Sequence, residues 1–184
     1  LPAYAAVEKT LPPFSLAAKI RTISSGDEME LDSLLRTLES SGYKRADEVE
    51  GHGQYAHRGG IVDFFPPDRE RPIRLELWGD EIDTICEFEI ESQRRTDIVD
   101  AVGLTPACEL IIEDQDAFAE KIEIIASKLR GAKASTAREK LMEDASRIRN
   151  RVNVCLDKYI NLVYEDSVTP LAYMEEGDLL FVTE

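Results

Sequence analysis

The chain has 184 residues, 43% of them hydrophobic, with 22 basic against 37 acidic side chains and a formal net charge of −15. That length holds one good core, or one compact domain with a helical appendage. No stretch of about 18 apolar residues occurs, so a membrane-spanning helix is not expected, and so acidic a chain is a poor general binder of nucleic-acid phosphates.

The acidity is uneven. Residues 79–108 carry two basic and eight acidic groups, whereas residues 52–78 carry four of each, and all four cations there are Arg. Arg is enriched in protein interfaces because its planar fork binds carboxylates through two hydrogen bonds.

Leu1-Pro2-Ala3-Tyr4 has neither an initiator Met nor a basic leader, so it does not read as a signal peptide; the expectation is a piece of a longer chain. Residues 3–10 predict a helical turn halted by Leu11-Pro12-Pro13, and Ser15 to Ser24 a strand ending at Ser24-Ser25-Gly26-Asp27. Leu31, Leu34, Leu35 and Leu38 then fall at i, i+3, i+4 and i+7, the stripe of an amphipathic helix, with Gly42 where a C-terminal glycine belongs.

Four strands are predicted next, over 53–58, 60–65, 72–78 and 81–90, punctuated by Gly59-Gly60, Pro66-Pro67-Asp68 and Gly79-Asp80. Alternation across 72–78 is strict: Ile73, Leu75 and Leu77 point one way, Arg74, Glu76 and Trp78 the other. The apolar set must meet the leucine stripe, which leaves Arg74 and Trp78 on the outer face. One helix packed on one face of a small antiparallel sheet is an α+β arrangement.

After a polar turn at 91–96, residues 98–112 read as extended chain broken by Gly103 and Pro106. Phe118, Ile122, Ile125 and Leu129 have helical spacing closed by Gly131. Leu141, Ala145, Ile148, Val152, Leu156, Tyr159 and Val163 continue it across 135–163, with Ser135 or Thr136 as cap. A helical hairpin is expected there rather than a coiled-coil dimer. Leu179-Leu180-Phe181-Val182 reads as a buried strand.

Chemistry-bearing constellations are sparse. Nothing matches the glycine-rich loop GxxxxGK[ST], so the chain alone should not hydrolyse ATP. His52 and His57 have no Cys, Asp or Glu at ligand spacing, so no metal site is expected. Cys86, Cys108 and Cys155 form no CxxC pair; they read as reduced, buried thiols of a cytoplasmic protein and not as nucleophiles paired with histidine. Asp80, Glu81 and Asp83 read first as a solvated hairpin turn, second as the charged rim of a partner site.

Arg58, Arg74 and Trp78 allow two readings. Their methylenes and ring can merely cover sheet backbone, or they can form a docking surface, since Trp and Arg dominate binding hot spots. A sheet that stacks single-stranded nucleic acid is a third possibility, disfavoured by the acidic surroundings.

The run Gly53-Gln54-Tyr55-Ala56-His57-Arg58-Gly59-Gly60-Ile61-Val62-Asp63-Phe64-Phe65-Pro66, followed by Arg74-Leu75-Glu76-Leu77-Trp78-Gly79-Asp80-Glu81-Ile82 and Ser92-Gln93-Arg94, resembles the UvrA-interaction domain shared by UvrB and the bacterial transcription-repair coupling factors (Mfd). The likeness spans about residues 14–110 and is looser over 111–184. Arg58-Gly59-Gly60-Ile61 and Ser92-Gln93-Arg94 are closer to the coupling factors than to UvrB, which tends to have Arg-Gly-Asp-Val at the first.

The resemblance implies an α+β module like the second domain of UvrB over 14–98. Residues 1–13 would be a remnant of a preceding UvrB-like domain, and 99–184 a return segment whose helical hairpin leads into the start of a degenerate helicase-like α/β domain. It implies docking to UvrA, recruiting that protein to sites of stalled RNA polymerase. The contacts carry over to Arg58, Arg74 and Trp78, Trp78 standing where the family usually has Phe. No cofactor and no catalytic residue are implied. RNA polymerase, DNA and an ATP-dependent translocase motor would belong to other domains. On this reading Arg74→Ala weakens UvrA binding by about 2 kcal/mol or more in a domain that stays folded. The corresponding region of a UvrB and a stand-alone enzyme are the alternatives.

Overall fold

In the computed structural model, which describes residues 2–112, 114–131, 134–150 and 157–183, the chain divides into two compact units: residues 1–111 with 164–184, and residues 112–163.

The first unit opens with α1 (Pro13–Ala17), then β1 (Arg21–Ser24), α2 (Leu31–Ser40) and β2 (Lys44–Arg45). β3 (Gln54–Arg58), β4 (Ile61–Phe64), β5 (Ile73–Trp78), β6 (Glu81–Phe88), β7 (Arg95–Ile98) and β8 (Ala101–Leu104) follow. β2 to β7 form one six-stranded sheet in sequence order, and β1 pairs with β8 apart from it. Among the strand pairs of the described residues, β2–β3 is parallel and the rest are antiparallel. The α+β class and the antiparallel sheet packed against a helix are as the alternation predicts.

The leucine stripe sets the core. Leu34 and Leu38 of α2 are wholly buried with Val62, Phe64, Ile73, Leu75, Ile82 and Ile85, and Ile23, Val102 and Leu104 of the β1–β8 pair join the same cluster. Each of these side chains contributes about 1.5–3 kcal/mol before chain entropy is charged. Tyr43 lies edge-on to Phe64, and its hydroxyl donates to the Thr105 carbonyl at 2.7 Å, so the one polar group it brings inside is paired.

Gly42 ends α2 at φ +88°, and a Cβ there would lie 2.3 Å from the Cys108 Sγ, so conformation and space both demand glycine.

Four expectations about this unit are corrected. The strand expected over Ser15 to Ser24 forms only at Arg21–Ser24, and Ser15 to Ala17 are helical, because Pro13, with φ already fixed near the helical value, opens α1. β7 begins inside the expected turn at 91–96. Leu179 to Val182 is not a buried strand: Leu179 and Phe181 are 81% and 75% exposed, and the bridge recorded there is Pro2 to Thr183. An apolar run without period cannot say whether anything covers it. Of the thiols, Cys86 is buried but Cys108 is exposed, while Cys155 lies outside the described residues.

The second unit holds α3 (Gln115–Lys128), α4 (Ser135–Arg149) and α5 (Ile160–Val163), a 3-10 turn at Asp157–Tyr159 preceding the last. Helices α3 and α4 pack together through Phe118, Ala119, Ile122 and Ala126 of one and Ala145 and Ile148 of the other. Asp114 caps α3, its carboxylate accepting from the Ala117 N–H at 2.9 Å. Ser135 is the first residue of α4 rather than its cap, which is Ala134. The part of the expected second helix at 151–156, including Val152 and Leu156, lies outside the described residues.

Candidate docking surface

Strand register determines which residues share the face away from α2. Ala56, Asp63, Arg74 and Cys86 stand opposite one another across β3 to β6, and Arg58, Ile61, Glu76 and Thr84 form the next row. Alternation along β5 puts Trp78 on this face too, at the mouth of the β5–β6 hairpin. The three residues expected to act together, Arg58, Arg74 and Trp78, therefore share one sheet face, but they differ sharply in exposure.

Trp78 is 83% exposed, an aromatic ring held in water by a strand whose other side chains are packed. The Arg58 side chain is 51% exposed, with its NH2 3.4 Å from Asp63 Oδ2, a long and weak contact. The Arg74 side chain is only 9% exposed. It lies on the outer face, as the alternation requires, but not in solvent.

Two things cover it. A second apolar cluster of Val49, Ala56, Phe65 and Phe88 occupies part of this face, and the Arg74 guanidinium sits 4.5 Å above the Phe88 ring. The segment between β6 and β7 then folds over: the Gln93 N–H donates to the Glu89 carbonyl at 2.8 Å, and the Glu89 N–H donates to the Arg94 carbonyl at 3.0 Å.

The partners of Arg74 are almost complete. Its Nε donates to Asp63 Oδ1 at 2.7 Å and its NH2 to Asp63 Oδ2 at 2.8 Å, a bidentate pair in which the carboxylate is itself 4% exposed. NH1 donates to the Gln93 carbonyl at 3.1 Å and NH2 to Gln93 Oε1 at 3.2 Å. The hydrogen bonds to Asp63 hold the guanidinium's pKa above its ordinary value against the opposing effect of burial. Beside it, Arg95 NH2 lies 2.7 Å from Glu76 Oε1.

This face can offer a partner an exposed aromatic ring, one loosely held guanidinium and a floor in which Arg74 is pinned by Asp63 and Gln93. His52, stacked on Phe65 at 3.8 Å with Nε2 2.9 Å from the Arg69 carbonyl, is engaged elsewhere. Among the described residues no group of three or more His, Cys, Asp or Glu comes together as metal ligands, and no helix is long and apolar enough to cross a membrane.

Asp63 and Gln93 were not anticipated as members of the site. Asp63 leaves a legible sign, a lone carboxylate between Val62 and Phe64 in an otherwise apolar strand. Gln93 leaves almost none: it adopts φ +56°, a region that Gly, Asn and Asp favour, and meets Arg74 across 19 positions of sequence.

Residues 22–110, from β1 to just beyond β8, match the UvrB interaction domain. Over 98% of its length the chain aligns at 33% identity with the transcription-repair-coupling factor of Bacillus subtilis, covering 16% of that protein. The coupling factor of Escherichia coli is 36% identical over 59% of the chain and 10% of its own length, and that of Haemophilus influenzae 35% over 62% and 10%. Residues 22–110 are thus similar to the UvrB interaction domain, and the relatives in sequence just described are transcription-repair-coupling factors. The chain spans about a sixth or less of the length of these relatives.

Proposed function

We propose that the chain is a docking module for UvrA, and that the outer face of its sheet is the surface that docks. The observation that carries this reading is Trp78, 83% exposed on the face that also presents a half-exposed Arg58. An outward Trp contributes nothing to the core, whereas desolvating it against a partner contributes strongly to association. Arg58 supplies a charged group whose existing contact is weak enough to exchange for a partner's carboxylate. Arg74 completes the site as its fixed member, with at most one N–H left to offer outward.

Within a longer coupling factor, such a module recruits UvrA to sites where RNA polymerase has stalled. The ATP-dependent DNA translocase activity belongs to parts of the protein beyond this chain, as do contacts with RNA polymerase and DNA, and the module itself is not an enzyme. Residues 1–13 are read as the remnant of a preceding UvrB-like domain, 14–98 as the docking module, and 99–184 as the return into a degenerate helicase-like domain.

Trp78 is the only tryptophan in the chain, which makes it a reporter of its own burial. On titration with UvrA its emission should shift to the blue and lose accessibility to iodide, with a Trp78→Phe chain run in parallel to subtract the fluorescence of UvrA. A complex that forms while Trp78 stays fully quenchable would contradict the assigned surface.

A further inference from the structure

Arg74 has five N–H donors, and four are placed within the chain, two on Asp63 and two on Gln93. Gln93 therefore supplies as many acceptors as Asp63, neutral and at longer distance, and with the stronger carboxylate pair it fixes the guanidinium plane over Phe88. It does so from a strained position: at φ +56° a residue with a Cβ is disfavoured, and Gln lacks the short polar side chain that makes this region accessible to Asn or Asp. The strain is held by a closed set of bonds. The Gln93 N–H reaches the Glu89 carbonyl at 2.8 Å, its Nε2 donates to the Ile90 carbonyl at 2.9 Å, and both its carbonyl oxygens face Arg74.

The consequence falls on Arg58. Both Asp63 oxygens are taken by Arg74 at 2.7 and 2.8 Å, so Arg58 is left with only the 3.4 Å approach to Oδ2. Were Arg74 free to turn, Asp63 would be free to capture Arg58 in the short bidentate geometry that two ions of opposite charge prefer. The exposed guanidinium would then be spent inside the chain.

We propose that Gln93 is a positioning residue of the docking surface: by locking Arg74 onto Asp63 it keeps Arg58 available for a carboxylate of UvrA. The inference rests on the docking reading above, and it assigns Gln93 a role that operates through Arg58.

Gln93→Gly tests it, because glycine occupies φ +56° without strain and preserves the turn while removing the side-chain acceptor. The expected result is a melting temperature within a few degrees of the parent and a UvrA affinity lowered about tenfold, the scale of one hydrogen bond to a charged group. In an Arg58→Ala background, where there is no guanidinium left to release, Gln93→Gly should cause no further loss. Three results would overturn the inference. Gln93→Gly could bind as the parent does. Its loss could add in full to that of Arg58→Ala, which would make Gln93 a direct contact. Its affinity loss could be accounted for by a lowered melting temperature, which would make its role structural. A parent chain that binds no UvrA at all would remove the docking reading itself, an outcome distinct from these.

Discussion

Arg74 and Arg58 lie on one sheet face, yet their substitutions should behave in opposite ways. Arg74→Ala removes the bidentate partner of Asp63, a carboxylate 4% exposed, and leaves only the half-exposed Arg58 to turn in on it, so the cost lies toward the low end of the about 3–5 kcal/mol of breaking a buried pair from one side. The expectation from the sequence that this variant would lose only affinity therefore gives way to a substantial loss of fold stability, which urea denaturation would register as a lower midpoint. Arg58→Ala, at a half-exposed position with one weak contact, should stay within about 0.5 kcal/mol of the parent while weakening association. Equal stability of the two variants would contradict the burial described. At this scale the sequence was half legible. Strand alternation correctly puts Arg74 on the outer face, but burial depends on Phe88 and Gln93, brought over it by a turn that no periodicity predicts. The exposure of Trp78 and Arg58 needed no such long-range contact and could be read directly.

Elements with a period of their own were the most legible. The stripe of α2 and the strands β3 to β6 fall within a few residues of their predicted bounds, because burial on one face forces a repeat on the sequence. β2, only two residues long, carries no repeat. β7 has four exposed residues, so no apolar face marks it. Gly42→Ala tests the end of α2. The left-handed backbone alone costs about 1–2 kcal/mol, and the 2.3 Å approach to Cys108 Sγ adds to it. A combined Gly42→Ala/Cys108→Ala chain should recover only some of the second part, because the Cys108 Cβ at 2.8 Å remains, and a single variant as heat-stable as the parent would contradict the geometry. In the helical unit, Asp144 accepts from the Tyr159 hydroxyl at 2.6 Å and from the Lys158 ammonium. Burial alone would raise its pKa, but these hydrogen bonds outweigh it and hold the carboxyl below the ordinary 3.8. A depressed carboxyl stabilises the fold above its unfolded pKa and ceases to as pH falls through the folded value. Helical circular dichroism on acidification should therefore show the parent's advantage over Asp144→Asn as full above about pH 4 and vanishing below it. A constant difference across that range would mean the ionised form is not what matters.

For the whole molecule, the charge of −15 limits which partners can approach. A surface this acidic repels phosphate backbones and other acidic proteins unless cations are concentrated where contact occurs, and the segment 52–78, with its four arginines and no net charge, is such a place. Attraction through Arg58 to a carboxylate implies an association that weakens as salt screens it, whereas the Trp78 contribution should persist. The central claim is that one sheet face, through Arg58 and Trp78, binds UvrA. Its most direct measurement is calorimetric titration of UvrA with the parent chain and with an Arg58→Ala/Trp78→Ala chain, both checked as folded by their melting temperatures. The account predicts saturable binding by the parent, weaker at higher ionic strength, and a loss of at least about 2 kcal/mol in the folded double variant. A parent that does not bind, or a double variant that binds equally well, would contradict it.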